Sequence, residues 1–411
     1  MNVKRTGIVF SWALYDLANQ FFALNVVSLY FVRWLTFEKH APEIYYSISF
    51  ACSSFAIALL SPLFGAFSDY TRRRRVFLIL FTLLSVLFTV LIGATDSVVA
   101  GLIFFAVAYF GCQMGVVFYN SLLADIVSSG KVGLVSGVGR MFGYSGALLA
   151  LVVIKPVVLK YGYHATFVPT GLLFLVFALP CMLFVKDTQS VPMRLPWRRF
   201  FTRAAMMETL RKLRRALWAG SGTQSALPFF LRATFWSLSA VNTVILFMAV
   251  YVTVVFGLSE EQIIHLVGFS TLFAIVGSIV SGAASDYFGQ KRFLGAVFML
   301  WIGCLLFGAL LVDGRYYAVL GSVVGLALGA IWVVLRAFLI RITPPDRIGE
   351  AFGLFNCLGY LSGICGSIFW GLMLLMLKNL GAGAYRITLG MLSIFMFLGL
   401  VYLLRIPYER S

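Results

Sequence analysis

Charged side chains are scarce in this chain, and the acidic ones are the scarcer kind. Only 15 of its 411 residues are Asp or Glu, and the four charged types together make up 11% of the sequence. A soluble globule of this length needs far more polar surface than that to cover its core. With 61% hydrophobic residues and a mean hydropathy of +0.96, the composition excludes a soluble protein. It predicts an all-α, multi-pass membrane protein.

Residues typical of metal, redox and nucleotide sites are also few. The 6 cysteines all fall inside apolar runs without a CxxC pair, so they are predicted to be small packing residues. His40, His164 and His265 form no ligand cluster. No G-x-x-x-x-G-K-S/T loop exists to bind a nucleotide. We therefore expect no metal, no cofactor and no enzymatic activity.

Apolar runs of about 20 residues, the length that a helix needs to cross the hydrocarbon core, recur along the whole chain. Lipid offers no partner for free backbone groups, so such runs must be helices. Twelve spans are predicted near residues 9–33, 44–68, 76–95, 98–125, 133–158, 165–186, 228–256, 262–285, 292–312, 315–340, 349–377 and 382–405.

The basic residues predict the orientation of these spans. If the N-terminus is cytoplasmic, the inner segments carry 22 of the 32 Lys and Arg residues and the outer segments carry seven, as the positive-inside rule expects. Both termini are therefore predicted to be cytoplasmic. The net charge of +17 follows from this topology and from anionic lipids of the inner leaflet, so it does not indicate nucleic-acid binding. The first apolar run is too long for a cleavable signal peptide.

An internal repeat divides the chain. "GAFSDYTRRRR" from Gly65 matches "GAASDYFGQKR" from Gly282 at an offset of 217. "GLVSGVGRMFGYSG" from Gly133 matches "GEAFGLFNCLGYLSG" from Gly349 at an offset of 216. The repeat predicts two pseudo-symmetric six-helix halves, residues 1–186 and 228–411. The basic segment 187–227 between them is predicted to be an amphipathic linker on the inner leaflet, with a partner-binding site as the alternative.

Two six-helix halves with a Gly-x-x-x-Asp loop after helices 2 and 8 resemble the major facilitator superfamily. Within it, "WALYDLANQFF" in helix 1, "FYNSLL" in helix 4 and "SGVGRMFGYSG" in helix 5 are similar to the vacuole effluxer-like family, which includes fungal vacuolar amino-acid exporters and bacterial proteins. The chain lacks the long insertions of the fungal members, which favours a bacterial inner-membrane protein. The resemblance implies a transporter that acts as a monomer.

The superfamily resemblance also implies a gate at the cytoplasmic ends of helices 2 and 8. In the first copy, Gly65 allows close backbone approach, and Asp69 would pair with Arg73 or Arg75 when the gate is closed. The second copy of the gate would consist of Gly282, Asp286 and Arg292. The alternative is that the arginines only set the topology.

A polar layer is predicted inside the spans. At 1.5 Å per residue, Asp16, Asn120 and Arg140 all lie about 9–12 Å from the inner helix ends. The repeat offset maps Asn120 onto Arg336, Arg140 onto Asn356, and Asp16 onto Arg232 or its neighbour, so the halves exchange residue types. Asn19 is a further candidate hydrogen-bond donor to a substrate.

Asp16 and Arg140 form the obvious local pair, which would leave Arg336 as surplus positive charge that attracts a carboxylate or phosphate. Asp16 is then the candidate for protonation coupled to transport. The pair is alternatively purely structural, and Arg232 alternatively snorkels towards the interface. These features predict a secondary transporter of a small polar or anionic metabolite, with amino acids suggested by the family. A lipid or drug exporter of the same fold and a non-transporting sensor remain alternatives.

Overall fold

The computed structural model describes residues 3–127, 130–187, 226–310 and 316–407, with four single positions between the second and third of these ranges. Most of the basic segment 187–227, and with it the predicted amphipathic helix, lies outside the described residues. Within the described part, twelve helices are long and apolar enough to cross a membrane.

The helices follow the predicted apolar runs. The first six are α1 (Val3–Phe22), α2 (Glu43–Thr71), α3 (Arg74–Ile92), α4 (Val98–Ile126), α5 (Val132–Tyr161) and α6 (Phe167–Phe184). The other six are α7 (Ala226–Phe256), α8 (Glu260–Phe288), α9 (Gln290–Leu310), α10 (Tyr317–Ile342), α11 (Ile348–Met376) and α12 (Ala382–Leu404).

The first span is longer than its apolar run predicts. Beyond Phe22 it continues through π-helical turns at Ala23–Tyr30 and Trp34–Glu38. Within the wider turns the Ser28 hydroxyl donates to the Ala23 carbonyl, five residues back, at 3.1 Å. Asn25 is fully buried there, and its amide donates to Thr170 Oγ1 at 3.4 Å. The π-helical turns, a rare conformation that often marks functional segments, extend this span to Glu38.

The turn between α2 and α3 explains an irregularity of the first repeat copy. Arg72 ends α2 in the left-handed region, with φ 51° and ψ 34°, where Gly is the usual residue. At the corresponding position between α8 and α9, Gly289 also has a positive φ of 87°. Arg72 therefore occupies the place of the missing central Gly in "TRRRR", at the cost of a strained backbone.

Two compact units divide the described residues. The first contains 3–127, 138–187 and 345–353, and the second contains 130–137, 226–310, 316–344 and 354–407. In the first unit α1 packs against α6, α2 against α4, and α3 against α4 and α6; the second repeats this with α7 to α12. The division into halves at 1–186 and 228–411 stays a prediction, because the first turns of α5 and α11 each belong to the unit of the other repeat.

Candidate functional site

An ion pair between a buried carboxylate and a partly exposed guanidinium lies inside the first unit. Asp16 on α1 is 5% exposed, and its Oδ1 lies 3.8 Å from Nη1 of Arg140 on α5. A hydrogen-bonded pair of this kind is shorter, about 2.7–2.9 Å. The Arg140 guanidinium also lies 5.0 Å from the centre of the Tyr144 ring. Two spans thus bring opposite charges together where isolated charges are expensive.

Gly143 makes room for this pair. A Cβ atom added at Gly143 would lie 3.2 Å from the carboxyl carbon of Asp16 and 3.3 Å from its Oδ1. Gly359, its equivalent in the second repeat, would meet nothing within 4 Å. The absence of a Cβ atom at Gly143 therefore leaves space for the Asp16 carboxylate, whereas Gly359 has no such neighbour within 4 Å.

Asn19 lies one turn along α1 from Asp16. Its Oδ1 accepts from the Cys112 thiol of α4 at 3.7 Å, and its side chain is 5% exposed. Its amide nitrogen is buried and has no hydrogen-bond partner among the described residues. Asn120, also on α4, is half-buried. A buried amide without an acceptor costs about 1–3 kcal/mol, so the Asn19 nitrogen is a place where a ligand or water oxygen is favourable.

In the second unit the predicted arginine of the layer is bound to a serine. Arg336 of α10 is 6% exposed, and its Nε donates to Ser136 Oγ at 2.9 Å. Its Nη2 donates to the Ser136 carbonyl at 3.2 Å. Ser136, in the first turns of α5, in turn donates to the Val333 carbonyl of α10 at 3.1 Å. Arg336 therefore holds the start of α5.

The other two predicted residues of this layer lie elsewhere in the second unit. Arg232 is 8% exposed, with its guanidinium 5.6 Å from the Phe229 ring centre and 5.8 Å from that of Tyr402. This geometry suits cation–π contacts. Asn356 is half-buried, and its amide nitrogen has no hydrogen-bond partner in the described part of the chain.

The predicted gate residue Asp69 binds the start of α11 within the first unit. Its two oxygens accept from the backbone N–H groups of Gly349 and Glu350, each at 2.8 Å. The carboxylate thereby caps the positive end of a helix dipole. A Cβ atom at Gly65 would collide with the Gly349 carbonyl oxygen, so this glycine is required for the approach.

The arginine partner of Asp69 is Arg74, and the predicted partners Arg73 and Arg75 were wrong. Arg74 Nη2 lies 2.8 Å from Asp69, and Nη1 lies 3.0 Å from Asp125 on α4. Because Arg72 reverses the chain, α3 begins at Arg74 and directs this side chain back towards Asp69. Arg75 instead donates to the Met182 and Leu183 carbonyls at the end of α6. We call Asp69, Arg74 and Asp125 the first capping cluster.

The second capping cluster consists of Asp286, Gln290 and Arg341 in the second unit. Asp286 accepts from the N–H groups of Gly133 and Leu134 at the start of α5, at 2.8 and 2.7 Å. Gln290 donates to Asp286 at 3.1 Å and accepts from Arg341 at 2.8 Å. The side chain that contacts Asp286 is thus Gln290, in the first turn of α9, and Arg292 stays a predicted gate residue.

Several of these contacts were not predicted from the sequence. The offset of 216 maps Asp125 onto Arg341, so the exchange of residue types found for Asn120 and Arg336 extends to the capping clusters. Applying the offset to the inner ends of α4 and α10 would have found this pair. Ser136 carries no such signal, because its equivalent, Phe352, is apolar.

A cavity of about 410 Å³ lies beside the first capping cluster. Its lining contains four carboxylates and two guanidinium groups: Asp69, Arg72, Arg74, Ala124, Asp125, Asp187, Pro345 and Asp346. Burial raises the pKa of Asp187, which lies beyond the end of α6, and donation from the Arg75 backbone N–H only partly offsets this. No group of three or more His, Cys, Asp or Glu residues in the described ranges could hold a metal ion.

Comparisons with known proteins agree on one family. The profile described as Major Facilitator Superfamily matches residues 17–259 and again 229–411. An uncharacterized protein of Aquifex aeolicus is 26% identical over 372 residues, which cover 90% of each chain. The uncharacterized MFS-type transporter YxiO of Bacillus subtilis is 23% identical over 423 residues, covering 98% of this chain and 95% of YxiO.

A solved structure shares the fold. The crystal structure of the human organic anion transporter MFSD10 aligns with a TM-score of 0.75 at 17% identity. The alignment covers 98% of this chain and 100% of that one. At this identity the likeness concerns the fold and not the cargo.

Proposed function

Because the chain belongs to the major facilitator superfamily, and is therefore a multi-pass membrane transporter, we propose that it carries a small amino acid-like metabolite by alternating access. One observation carries the proposal. The first unit holds a buried carboxylate 3.8 Å from a partly exposed guanidinium. One turn away on α1, the Asn19 amide nitrogen has no hydrogen-bond partner among the described residues.

This arrangement suits a zwitterion. The carboxylate of an amino acid would accept from Arg140 and from the Asn19 amide, since guanidinium groups bind carboxylates through paired hydrogen bonds. Its ammonium group would lie against Asp16. The 3.8 Å separation of Asp16 and Arg140 is longer than that of a hydrogen-bonded ion pair, so the opposite charges of one ligand can compete for both side chains. A lipid or drug cargo would instead favour an apolar site.

We assign proton coupling to Asp16. When the cargo leaves with its ammonium group while Arg140 is still turned away, Asp16 loses its counter-charge in an apolar span. A proton then restores neutrality at lower cost than an isolated charge. The rest of the substrate path is proposed to include the other polar-layer residues, Asn120, Arg336, Asn356 and Arg232.

The two capping clusters are proposed to act as gate contacts. In each cluster a carboxylate binds the start of a helix from the other repeat. These hydrogen bonds have to break if the helix start moves during transport. Gly65 and its counterpart Gly282 permit the close approach. The polar contacts are reversible because each exchanges for water.

The motifs of α1, α4 and α5 support a place in the vacuole effluxer-like family, and the absence of long insertions supports a bacterial inner-membrane protein with cytoplasmic termini. We propose a monomer, in contact with anionic lipid of the inner leaflet through its basic segments.

Reconstitution into liposomes that contain a pH-sensitive dye tests the function. Pools of amino acids, short peptides, carboxylates and phosphate esters are added outside. We expect proton movement with the amino-acid pool and its loss in Asp16→Asn. Asp96→Asn is the matched control, because Asp96 is an exposed carboxylate that pairs with Lys39 at the opposite end of the spans.

Amino-acid uptake with unchanged pH dependence in Asp16→Asn would contradict the coupling role. Binding without uptake of any labelled solute would favour a sensor. Lipid movement without solute uptake would favour the lipid exporter.

A further inference from the structure

Contacts between α1 and α4 in the first unit fix which faces of the two helices meet. The Trp12 indole donates to the Tyr119 carbonyl at 3.0 Å, and the two rings stack with their centres 4.4 Å apart. The Tyr15 ring stacks on Tyr119 as well, at 5.1 Å. Two turns beyond Trp12, the Cys112 thiol donates to Asn19 Oδ1 at 3.7 Å. Residue numbers thus rise along α1 as they fall along α4, so the two helices run antiparallel.

This pairing places the residues that follow each contact on one side of the helix pair. In a right-handed helix each residue lies about 100° further around the axis than the one before. In two antiparallel helices that face each other, this rotation leads to the same side. Asp16 and Gln20 of α1 therefore lie on the same side as Gln113 and Asn120 of α4. It is the side on which Asp16 meets Gly143 of α5.

Gln20 and Gln113 bring two amide groups to this side. Both side chains are half-buried, and neither makes a hydrogen bond to another described residue. The amide nitrogen of Asn19, beside Gln20 on α1, is buried and also has no partner in the described part of the chain. Buried polar groups in proteins are nearly always hydrogen-bonded. These amides therefore indicate a space that a polar ligand or water fills.

Height along the helices relates the two glutamines to the charged pair. At 1.5 Å per residue, Gln20 lies about 6 Å from Asp16 towards the predicted outer end of α1. Because Asn19 is level with Cys112, the antiparallel pairing puts Gln113 about 3 Å beyond Asp16 in the same direction. Both amides are thus within reach of the side chain of an amino acid whose charged groups bind Asp16 and Arg140.

We propose that Gln20 and Gln113 select amino acids with a short, uncharged side chain that carries a hydroxyl or carboxamide group. This inference rests on the proposed function and names the class of amino acid carried. Each glutamine amide offers a donor and an acceptor, so it binds either group. An apolar side chain of the same shape leaves the amides without partners, and a polar site rejects such an analogue strongly.

Threonine and valine test the selection, because their side chains have nearly the same shape and only threonine carries a hydroxyl group. Initial uptake of labelled glycine, threonine and valine is measured in liposomes that hold the full chain as wild type, Gln20→Leu or Gln113→Leu. Glycine has no side chain and reports on the charged pair alone. Gln262→Leu is the matched control, since Gln262 is exposed and pairs with Ser259 at the start of α8.

We expect the wild type to prefer threonine to valine about ten-fold, the equivalent of one or two net hydrogen bonds. Each leucine variant of the two selecting glutamines should lower this ratio several-fold, with glycine uptake unchanged and valine uptake equal or higher. Gln262→Leu should keep the ratio of the wild type. The wild-type ratio is a readout that does not depend on whether any variant folds.

Glycine uptake separates this inference from the proposed function. Glycine uptake with equal uptake of threonine and valine by the wild type would overturn the inference and leave the function standing. An unchanged ratio in both variants, or a parallel fall of all three uptakes, would give the glutamines a structural role and overturn it too. No uptake of any amino acid would refute the proposed function, and the inference with it.

Discussion

At the scale of single residues, the polar layer depends on how each charge is accommodated. Asp16 is buried against Gly143 and lies opposite Arg140, and Arg336 is satisfied by Ser136. The depth argument from 1.5 Å per residue placed Asp16 and Arg140 in one layer, because rise along a helix is fixed. The same argument could not predict the contact between Arg336 and Ser136. That contact depends on how the two helices are rotated about their axes, which packing decides.

Gly143→Ala tests the fit around Asp16. The added methyl group would lie 3.2 Å from the Asp16 carboxyl carbon, closer than ordinary contact, and should turn the carboxylate away from Arg140. We expect transport to fall at least several-fold, measured as initial uptake into liposomes.

Gly359→Ala is the matched control for that change. It carries the same gain in helix propensity, about 1 kcal/mol, and its methyl group meets nothing within 4 Å. Equal uptake by both variants would show that the space beside Asp16 does not matter.

At the scale of helices, the two capping clusters solve the same problem with different chemistry. In the first, one buried guanidinium lies between Asp69 and Asp125. In the second, neutral Gln290 connects Asp286 with Arg341. The sequence predicted the carboxylates, since the Gly-x-x-x-Asp pattern marks them. It did not predict that Arg74 is the partner of Asp69, because the left-handed turn at Arg72 decides which arginine of "TRRRR" lies beside Asp69.

Asp69→Asn should destabilise the protein more than Asp286→Asn. The first change removes one of the two carboxylates paired with the buried Arg74, and it also weakens the charged hydrogen bonds to Gly349 and Glu350. The second weakens charged hydrogen bonds worth about 1.5–3 kcal/mol. Thermal unfolding in detergent measures the order, and Asp96→Asn at an exposed pair should leave the midpoint unchanged. An equal loss for both cluster variants would contradict the difference in chemistry.

The positive φ of Arg72 leads to a prediction about the stability of the turn between α2 and α3. Arg72→Gly should be more stable than Arg72→Ala by about 1 kcal/mol, because both changes remove the same side-chain contacts and only Gly adopts a positive φ without strain. In the second repeat, Gly289→Ala should destabilise the protein by a similar amount, since the added Cβ meets no neighbour and only the backbone is strained. Equal thermal midpoints for Arg72→Gly and Arg72→Ala would refute this account of the turn.

At the scale of the whole molecule, composition and periodicity predicted most of the architecture. Twelve apolar runs correspond to α1–α12, because length and hydropathy suffice to define a span. Two features were not predicted from the sequence. The π-helical turns carry the first span to Glu38, and the first turns of α5 and α11 belong to the units of the opposite repeats. Both depend on tertiary contacts.

The orientation can be tested by cysteine labelling in a cysteine-free background. Asp96 and Asp346 are both exposed. Asp96 lies in the loop between the third and fourth spans and Asp346 between the tenth and eleventh, so the two loops should lie on opposite sides of the membrane. We expect Asp96→Cys to react with an impermeant maleimide in intact spheroplasts and Asp346→Cys only in inverted vesicles. The reversed pattern would place the basic segments outside and overturn the predicted topology.

The reciprocal helix caps also bear on ancestry. The carboxylate of each repeat caps a helix that belongs to the other repeat, at Gly349 and Glu350 in one case and at Gly133 and Leu134 in the other. A two-fold homodimer of one six-helix chain would make both contacts with a single carboxylate and a single helix start, as isologous interfaces do. If two such chains became one, each copy could change alone, and this accounts for the different pairs that the two copies now hold, Arg74–Asp125 and Gln290–Arg341.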